Sequence, residues 1–145
     1  MNRSAMKNLL IIIVCILVAG ITEVSAQSFK VIVNESNSTE SISKDDLSDI
    51  FLKKKNKWND GSSIIPVDQN ARSATREIFS EEIHNRNVGA IRSYWQQAAF
   101  SGAGTAPIER SNDSDVIEFI QANSGAVGYV SESTEVSGVK VLAIE

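Results

Sequence analysis

The hydrophobic positions of this chain follow two spacings, one typical of strands and one typical of helices. Four short apolar segments rich in β-branched residues predict strands, at residues 29–33, 64–67, 125–130 and 139–144. Four longer segments repeat apolar residues every three or four positions and predict helices. The first starts at Ser43 and is closed by the lysines of residues 53–57, and the others lie at residues 73–83, 88–100 and 113–122. The resulting order, β-α-β-α-α-α-β-β, predicts an α/β layer fold with a largely parallel sheet, because helical crossovers connect parallel strands.

The first predicted helix shows the clearest end signals. Ser43 is placed as its N-cap, with Asp46 three positions later in a weak capping box. Leu47, Ile50 and Phe51 form its apolar face. We expect the lysines of residues 53–57 to close this helix, since cations favour the negative end of the helix dipole. These lysines are either a solvated helix end or a partner contact.

The N-terminus predicts a secretory signal peptide. An unbroken apolar run of eleven residues, Leu9–Ala19, follows Arg3 and Lys7 and precedes small residues that end at Ala26. The run is shorter than the ~20 residues that a membrane span needs, although an uncleaved anchor is the alternative. We therefore expect a signal peptide at residues 1–26, one domain at residues 27–145, and a periplasmic protein that is free of the membrane after cleavage.

Composition narrows the classes of function. The formal net charge is -4, which argues against nucleic acid and anionic membrane surfaces as partners. Cys15 is the only cysteine of the chain and lies inside the predicted leader. The mature domain therefore has no thiol chemistry and no disulfide, and residues 27–145 must fold on their hydrophobic core alone.

The segment from Pro66 to Arg76 carries the strongest chemical signal. A strand ends, a polar loop follows, and a helix begins with Ser73 and Thr75 beside Arg72 and Arg76. The first amides of a helix lack partners inside the helix and lie at its positive end, so hydroxyls and a guanidinium nearby make an anion site. The alternative is that Ser73 is only an N-cap and both arginines are solvated.

Catalysis and metal binding find little support in the sequence. His84 is the only histidine, and we expect it to be exposed at a helix end. Without a second histidine or a mature cysteine, we predict no metal site, no cofactor and no enzyme. The paired acids 45–46, 81–82 and 113–115 are expected to be dipole partners in first turns. The aromatic residues are expected to pack in the core or at its rim; they are Trp58, Tyr94, Trp95, Phe100 and Tyr129.

Several of these segments resemble the phosphate-binding proteins of ABC transporters. The stretch 47–58, with Ile50-Phe51 and Trp58, is similar to their "helix, then IF-x-G-K, then W" segment. Residues 72–76 resemble their G-S-G-T-R segment, and residues 125–130 resemble their G-A-I-G-Y-V strand. The resemblance runs from about residue 29 to the C-terminus. It implies a short, exported, phosphate-binding-protein-like (PBP-like) domain.

The resemblance implies a single lobe of a type II periplasmic-binding-protein-like fold, with a mixed, mostly parallel sheet flanked by helices. It also implies phosphate or oxyanion binding by Arg72, Ser73, Ala74, Thr75 and Arg76. Two departures weaken this inference. Both glycines of the family segment are replaced, by Arg72 and Ala74, and the family's phosphate-binding arginine aligns with Gln69. Arg72 is a candidate replacement for that charge, because a guanidinium holds an oxyanion in a bidentate way.

Two functions follow as expectations. The first is a solute-binding-like protein that binds phosphate or a related oxyanion, accessory to ABC-type phosphate uptake. Its open site would be covered by an envelope protein or a second copy, because one lobe cannot close over a ligand. The alternative is a non-catalytic protein-interaction module of the cell envelope that keeps the lobe fold and has lost phosphate binding.

Overall fold

The fold is a six-stranded mixed sheet with helices on both faces. The computed structural model describes residues 29–145, so the predicted signal peptide lies outside the described residues. The elements are β1 (Phe29–Asn34), β2 (Ser41–Ile42), α1 (Lys44–Phe51), β3 (Ile65–Gln69), α2 (Ala74–His84), α3 (Val88–Phe100), β4 (Ile108–Arg110), α4 (Asp113–Ala122), β5 (Ala126–Ser131) and β6 (Val139–Ile144). The predicted α/β class is confirmed, and the short strands β2 and β4 are additions to the predicted order.

The strand order is β2-β6-β1-β5-β3-β4. The pairs β2–β6, β5–β3 and β3–β4 are parallel, whereas β1 is antiparallel to both of its neighbours. Five of the six described strands therefore run in one direction, and β1 alone runs in the other. The sheet is mixed and mostly parallel, as predicted.

Successive residues of β1 supply two separate apolar layers, because side chains alternate across a strand. Val31 and Val33 face the layer that contains α1 and α2, whereas Ile32 faces the layer that contains α4. The first layer centres on aromatic rings, with Phe79 stacked on Tyr129 at 3.9 Å between ring centroids. The third helix packs apart from both layers, through Trp95 against Leu52.

Local signals explain the starts of the four helices found in residues 29–145. A polar side chain accepts a hydrogen bond from a first-turn amide at each N-cap; the N-caps are Ser43, Ser73, Asn87 and Asn112. The expectation that lysines close α1 is wrong. The helix ends at Phe51, and Lys53 adopts a left-handed conformation with φ 56°, so the lysines belong to the turn beyond the helix.

The glycines of the 125–130 strand allow close packing. A Cβ atom at Gly125 would lie 2.1 Å from the carbonyl oxygen of Ser63, and one at Gly128 would lie 2.9 Å from a methyl carbon of Val116. The structure thus gives this motif a packing reason: one glycine admits the segment before β3, and the other admits α4.

Candidate functional site

The predicted anion segment lies where β3 ends and α2 begins, at the carboxyl end of the parallel strands. Asn70 shapes the connecting turn: its side-chain oxygen accepts a hydrogen bond from the amide of Arg72 at 2.9 Å, and its carbonyl accepts one from the amide of Ser73 at 3.0 Å. Ser73 then caps α2 by accepting a hydrogen bond from the amide of Arg76 at 3.2 Å. The predicted N-cap is confirmed.

The hydroxyl hydrogen of Ser73 is already engaged within the protein. It is donated to the side-chain oxygen of Gln69, with 2.6 Å between the two oxygens. The side-chain Nε2 atom of Gln69 in turn donates to the carboxylate of Asp113 at 2.7 Å and to the carbonyl of Tyr129 at 3.0 Å. To donate a hydrogen bond to an anion, Ser73 would have to release Gln69.

Arg76 points into the protein instead of toward the helix N-terminus. The residue is only 4% exposed. Its Nη1 atom donates to the carbonyl of Gln69 and to the carboxylate of Glu109, both at 2.7 Å. Its Nε atom lies 3.4 Å from the carboxylate of Asp68. Its positive charge is therefore balanced by two carboxylates of the same chain.

Asp68 and Tyr129 are buried members of this network. The phenol of Tyr129 donates a hydrogen bond to the carboxylate of Asp68, which also accepts one from the amide of Gln69. Burial raises the pKa of Asp68, although Arg76 and the Tyr129 hydroxyl oppose that shift. Burial, reinforced by the neighbouring carboxylate, raises the pKa of Tyr129 well above its usual value.

The remaining predicted site residues lie toward solvent. Arg72 and Ala74 are exposed, and Thr75 is half-buried. The amides of Ala74 and Thr75 precede the first intrahelical hydrogen bonds, and no acceptor for either lies within residues 29–145. The five residues are contiguous, but they do not converge on one point. The outward-facing group consists of the guanidinium of Arg72 and two amides, with Glu77 as a first-turn carboxylate nearby.

Sequence reasoning did not identify the acidic and amide partners of this network. Asp113 is not only a first-turn dipole partner, because it also accepts from the amide of Ser131 and from the hydroxyl of Thr134. Glu109 reaches Arg76 from β4, a strand that the sequence did not predict. The detectable signal is the polar pair Asp68-Gln69 at the end of a buried strand.

The expectation that His84 is exposed is wrong. The imidazole is half-buried, and its Nδ1 atom lies 2.8 Å from the hydroxyl of Ser48. Burial, together with the positive charges of Arg86, Arg76 and Lys54, lowers the pKa of His84 to about 4. The ring is therefore neutral near pH 7 and belongs to the contact between α1 and α2.

The aromatic expectation is confirmed for most of its residues. Trp58, Trp95 and Tyr129 are buried, whereas Phe100 at the end of α3 is 97% exposed. Residues 29–145 contain no group of three or more His, Cys, Asp or Glu side chains arranged to hold a metal ion. Within the same residues, no helix has both the length and the apolarity needed to cross a bilayer.

Comparisons with known proteins agree with this architecture. A structure assigned as a phosphate ABC transporter substrate-binding protein from Clostridium perfringens, with bound phosphate, aligns with a TM-score of 0.62 at 18% identity. An ABC-type phosphate transport receptor from Vibrio cholerae aligns with a TM-score of 0.65 at 18% identity. The alignments cover 81% of this chain but only 44% and 46% of those chains. At this identity the likeness shows the fold.

The chain thus spans less than half the length of either structure. A search of curated protein sequences finds no match. The sequence model described as "PBP superfamily domain" matches residues 22–142, most of the chain. This protein therefore belongs to the PBP superfamily domain family.

Proposed function

We propose that this protein is an exported, periplasmic solute-binding-like domain that binds phosphate or a related oxyanion at the N-terminus of α2, accessory to ABC-type phosphate uptake. The observation that carries the proposal is the pair of amides at Ala74 and Thr75, which have no acceptor within the described residues and lie beside the exposed Arg72. The structural neighbours support it, since one holds bound phosphate and the other is a phosphate transport receptor.

The proposed contacts differ in strength. The amides of Ala74 and Thr75 donate hydrogen bonds at the positive end of the helix dipole. Arg72 supplies the charge that the buried Arg76 does not deliver, since Asp68 and Glu109 already compensate Arg76. Ser73 contributes its hydroxyl hydrogen only after releasing Gln69. We therefore expect Arg72 to dominate the side-chain contribution.

The proposed site is open to water, so its affinity is weak. Charge interactions at an exposed helix end are screened by salt. We expect a dissociation constant of about 1 mM, which corresponds to about -4 kcal/mol. Tighter capture would require a second copy or an envelope protein that covers the helix end and excludes water. The proposal is one of recognition without catalysis, because none of these groups is arranged as a nucleophile with its base.

Isothermal titration of the purified protein with phosphate, and with sulfate as the comparison ion, tests the proposal. We expect saturable binding that weakens as salt increases. Arg72→Gln should weaken it by roughly 5-fold or more, whereas Arg86→Gln removes an exposed arginine beyond the other end of α2 and should leave it within about 2-fold. Absence of heat at about 10 mM phosphate, roughly ten times the expected dissociation constant, would contradict the proposal. That result would favour the alternative function, a protein-interaction module.

Ser73 needs its own control because it caps α2. Ser43→Ala removes the equivalent cap from α1, where the amide of Asp46 donates to Ser43 at 3.1 Å. Each substitution should cost about 1 kcal/mol of stability. Only Ser73→Ala should also weaken phosphate binding, and equal binding by the two variants would remove Ser73 from the proposed site.

A further inference from the structure

A second group of basic side chains lies at the opposite end of β3. Lys53, Lys55 and Lys57 border a cleft of about 330 Å³. The floor of this lysine cleft is formed by Ile50, Ile64 and Pro66, and all three are buried. Asn56 and Ser63 add neutral hydrogen-bonding groups to its rim. The cleft thus combines a cationic rim with an apolar floor, and it is separate from the α2 N-terminus.

The positive charge of this region is largely uncompensated. Within residues 29–145 only Lys55 forms an ion pair here, with Asp46 at 3.0 Å. Lys53, Lys54 and Lys57 have no carboxylate within ion-pair distance among those residues. This concentration of cations contrasts with a formal net charge of -4 for the chain. A local positive field on an acidic protein favours an anionic partner.

The backbone that carries the lysines is held in place. The amides of Lys54 and Lys55 both donate to the carbonyl of Asp49, at 2.8 and 3.1 Å. Residues 56–64 then form a tight hairpin, in which the amide of Ile64 donates to the carbonyl of Asn56 at 3.0 Å. Its base is anchored where the indole nitrogen of Trp58 donates to the carbonyl of Gly125 at 3.1 Å. Such preorganisation reduces the entropy lost when a partner binds.

We propose that the lysine cleft is a docking site for an acidic peptide segment of another protein. Glutamate or aspartate residues of the peptide pair with Lys53 and Lys57 across the cleft. This proposal goes beyond phosphate binding and does not depend on it. Lys57 needs only to exchange its hydrogen bond to the hydroxyl of Ser63 for a carboxylate.

The shape and charge of the region favour a peptide over an anionic membrane. The apolar side chains that line the cleft are buried, so they offer a bilayer no exposed apolar surface. The large exposed apolar side chains of residues 29–145 lie elsewhere, at Ile78, Phe100, Ile108 and Val141. The cleft therefore has no apolar rim to insert among lipid headgroups. The acidic remainder of the protein would also be repelled by an anionic surface.

A fluorescence anisotropy titration with a labelled heptapeptide tests the proposal. The probe carries a central leucine with three glutamates on each side, and the purified protein is titrated at about 20 mM and about 200 mM salt. We expect saturable binding that weakens at the higher salt. Lys53→Gln combined with Lys57→Gln should weaken binding by about 10-fold or more. The matched control, Arg86→Gln with Arg92→Gln, removes two exposed arginines and should stay within about 2-fold.

Two further comparisons locate the peptide. Replacing the six glutamates with glutamines should weaken binding by about 10-fold or more, because the lysines lose their charged partners. Amide NMR shifts on peptide addition should cluster at residues 53–57 and 63–66. Equal binding by the lysine and arginine variants would overturn the proposal. So would equal binding of the glutamate and glutamine peptides, or shifts confined to residues 72–76.

Vesicles provide the competing outcome. The purified protein is centrifuged with phosphatidylcholine vesicles that contain about a third phosphatidylglycerol, an anionic surface. We expect no co-sedimentation. Vesicle binding that requires Lys53 and Lys57, without peptide binding, would overturn the proposal in favour of a membrane surface.

Discussion

The two groups of basic side chains at opposite ends of β3 show how differently one fold uses positive charge. At the carboxyl end, Arg76 is buried and balanced by Asp68 and Glu109. At the other end, Lys53 and Lys57 are exposed and have no carboxylate partner within the described residues. The first charge organises the protein interior, whereas the second remains available at the surface. An arginine in a binding motif therefore reveals its role only when its partners are known.

The sharpest test of this contrast is the removal of Arg76. Arg76→Met should destabilise the protein by about 3–5 kcal/mol, because it leaves the carboxylate of Asp68 buried without its cation. Lys53→Met should change stability by less than about 0.5 kcal/mol, as expected for an exposed surface site. Urea unfolding measures both. Adding Asp68→Asn to Arg76→Met should recover part of the loss, and a single variant as stable as wild type would mean that the buried pair is not structural.

The pH dependence of stability tests how far the surrounding positive charge acts on the interior. His84 has its pKa lowered to about 4, first by burial and then by Arg86, Arg76 and Lys54. The unfolded chain therefore binds a proton that the folded chain excludes, and stability falls as pH falls from about 6.5 toward 4. After allowance for solvent screening, we expect a loss of about 2 kcal/mol.

The matched variant for this pH effect is His84→Gln, which should show a flatter stability profile over the same range. The raised pKa of Asp68 acts in the opposite direction, since its contribution to stability is present below the unfolded pKa and is lost as pH rises through the folded pKa. Asp68 is present in both proteins, so its effect cancels in the difference between their urea-unfolding curves. Parallel curves for the two proteins would contradict the assigned role of His84.

The smallest expected effect on stability concerns Trp58, which anchors the hairpin of residues 56–64. Trp58→Phe removes the hydrogen bond to the carbonyl of Gly125 and should cost about 1 kcal/mol. Trp95→Phe is the control for ring size, because the Trp95 indole makes no hydrogen bond within residues 29–145. Thermal unfolding should show a larger loss for Trp58→Phe once the difference in buried area is subtracted. Peptide affinity should fall with Trp58→Phe, whereas phosphate affinity should not change.

Much of the fold was predictable because its elements carry local signals. The N-cap serines Ser43 and Ser73 and the spacing of Leu47, Ile50 and Phe51 located α1 and α2 without tertiary information. The short strand β4 was missed because Ile108–Arg110 contains one apolar and two charged residues. It is a strand through its pairing with β3, which no local pattern shows.

The candidate site was less predictable, and β4 is the reason. Glu109 lies on that strand and pairs with Arg76 across 33 positions of sequence. Unless β4 is recognised, the sequence gives no reason to expect a carboxylate beside Arg76. The motif alone therefore predicts that Arg76 contacts the ligand. The burial of His84 escaped prediction in the same way, since its partner Ser48 belongs to another helix. Helix periodicity shows which face is apolar, but not which polar groups meet across elements.

The hairpin of residues 56–64 has a consequence for how this protein can be altered. Its base is fixed by Trp58 and by the close approach of Ser63 to Gly125, while its one lysine, Lys57, is exposed. A rigid base with a permissive rim makes this segment a natural place to graft new recognition sequences. Engineers could exchange Lys57 for other residues and expect the sheet beneath to remain intact. In evolutionary terms, binding preference at this end could diverge without any cost to the core.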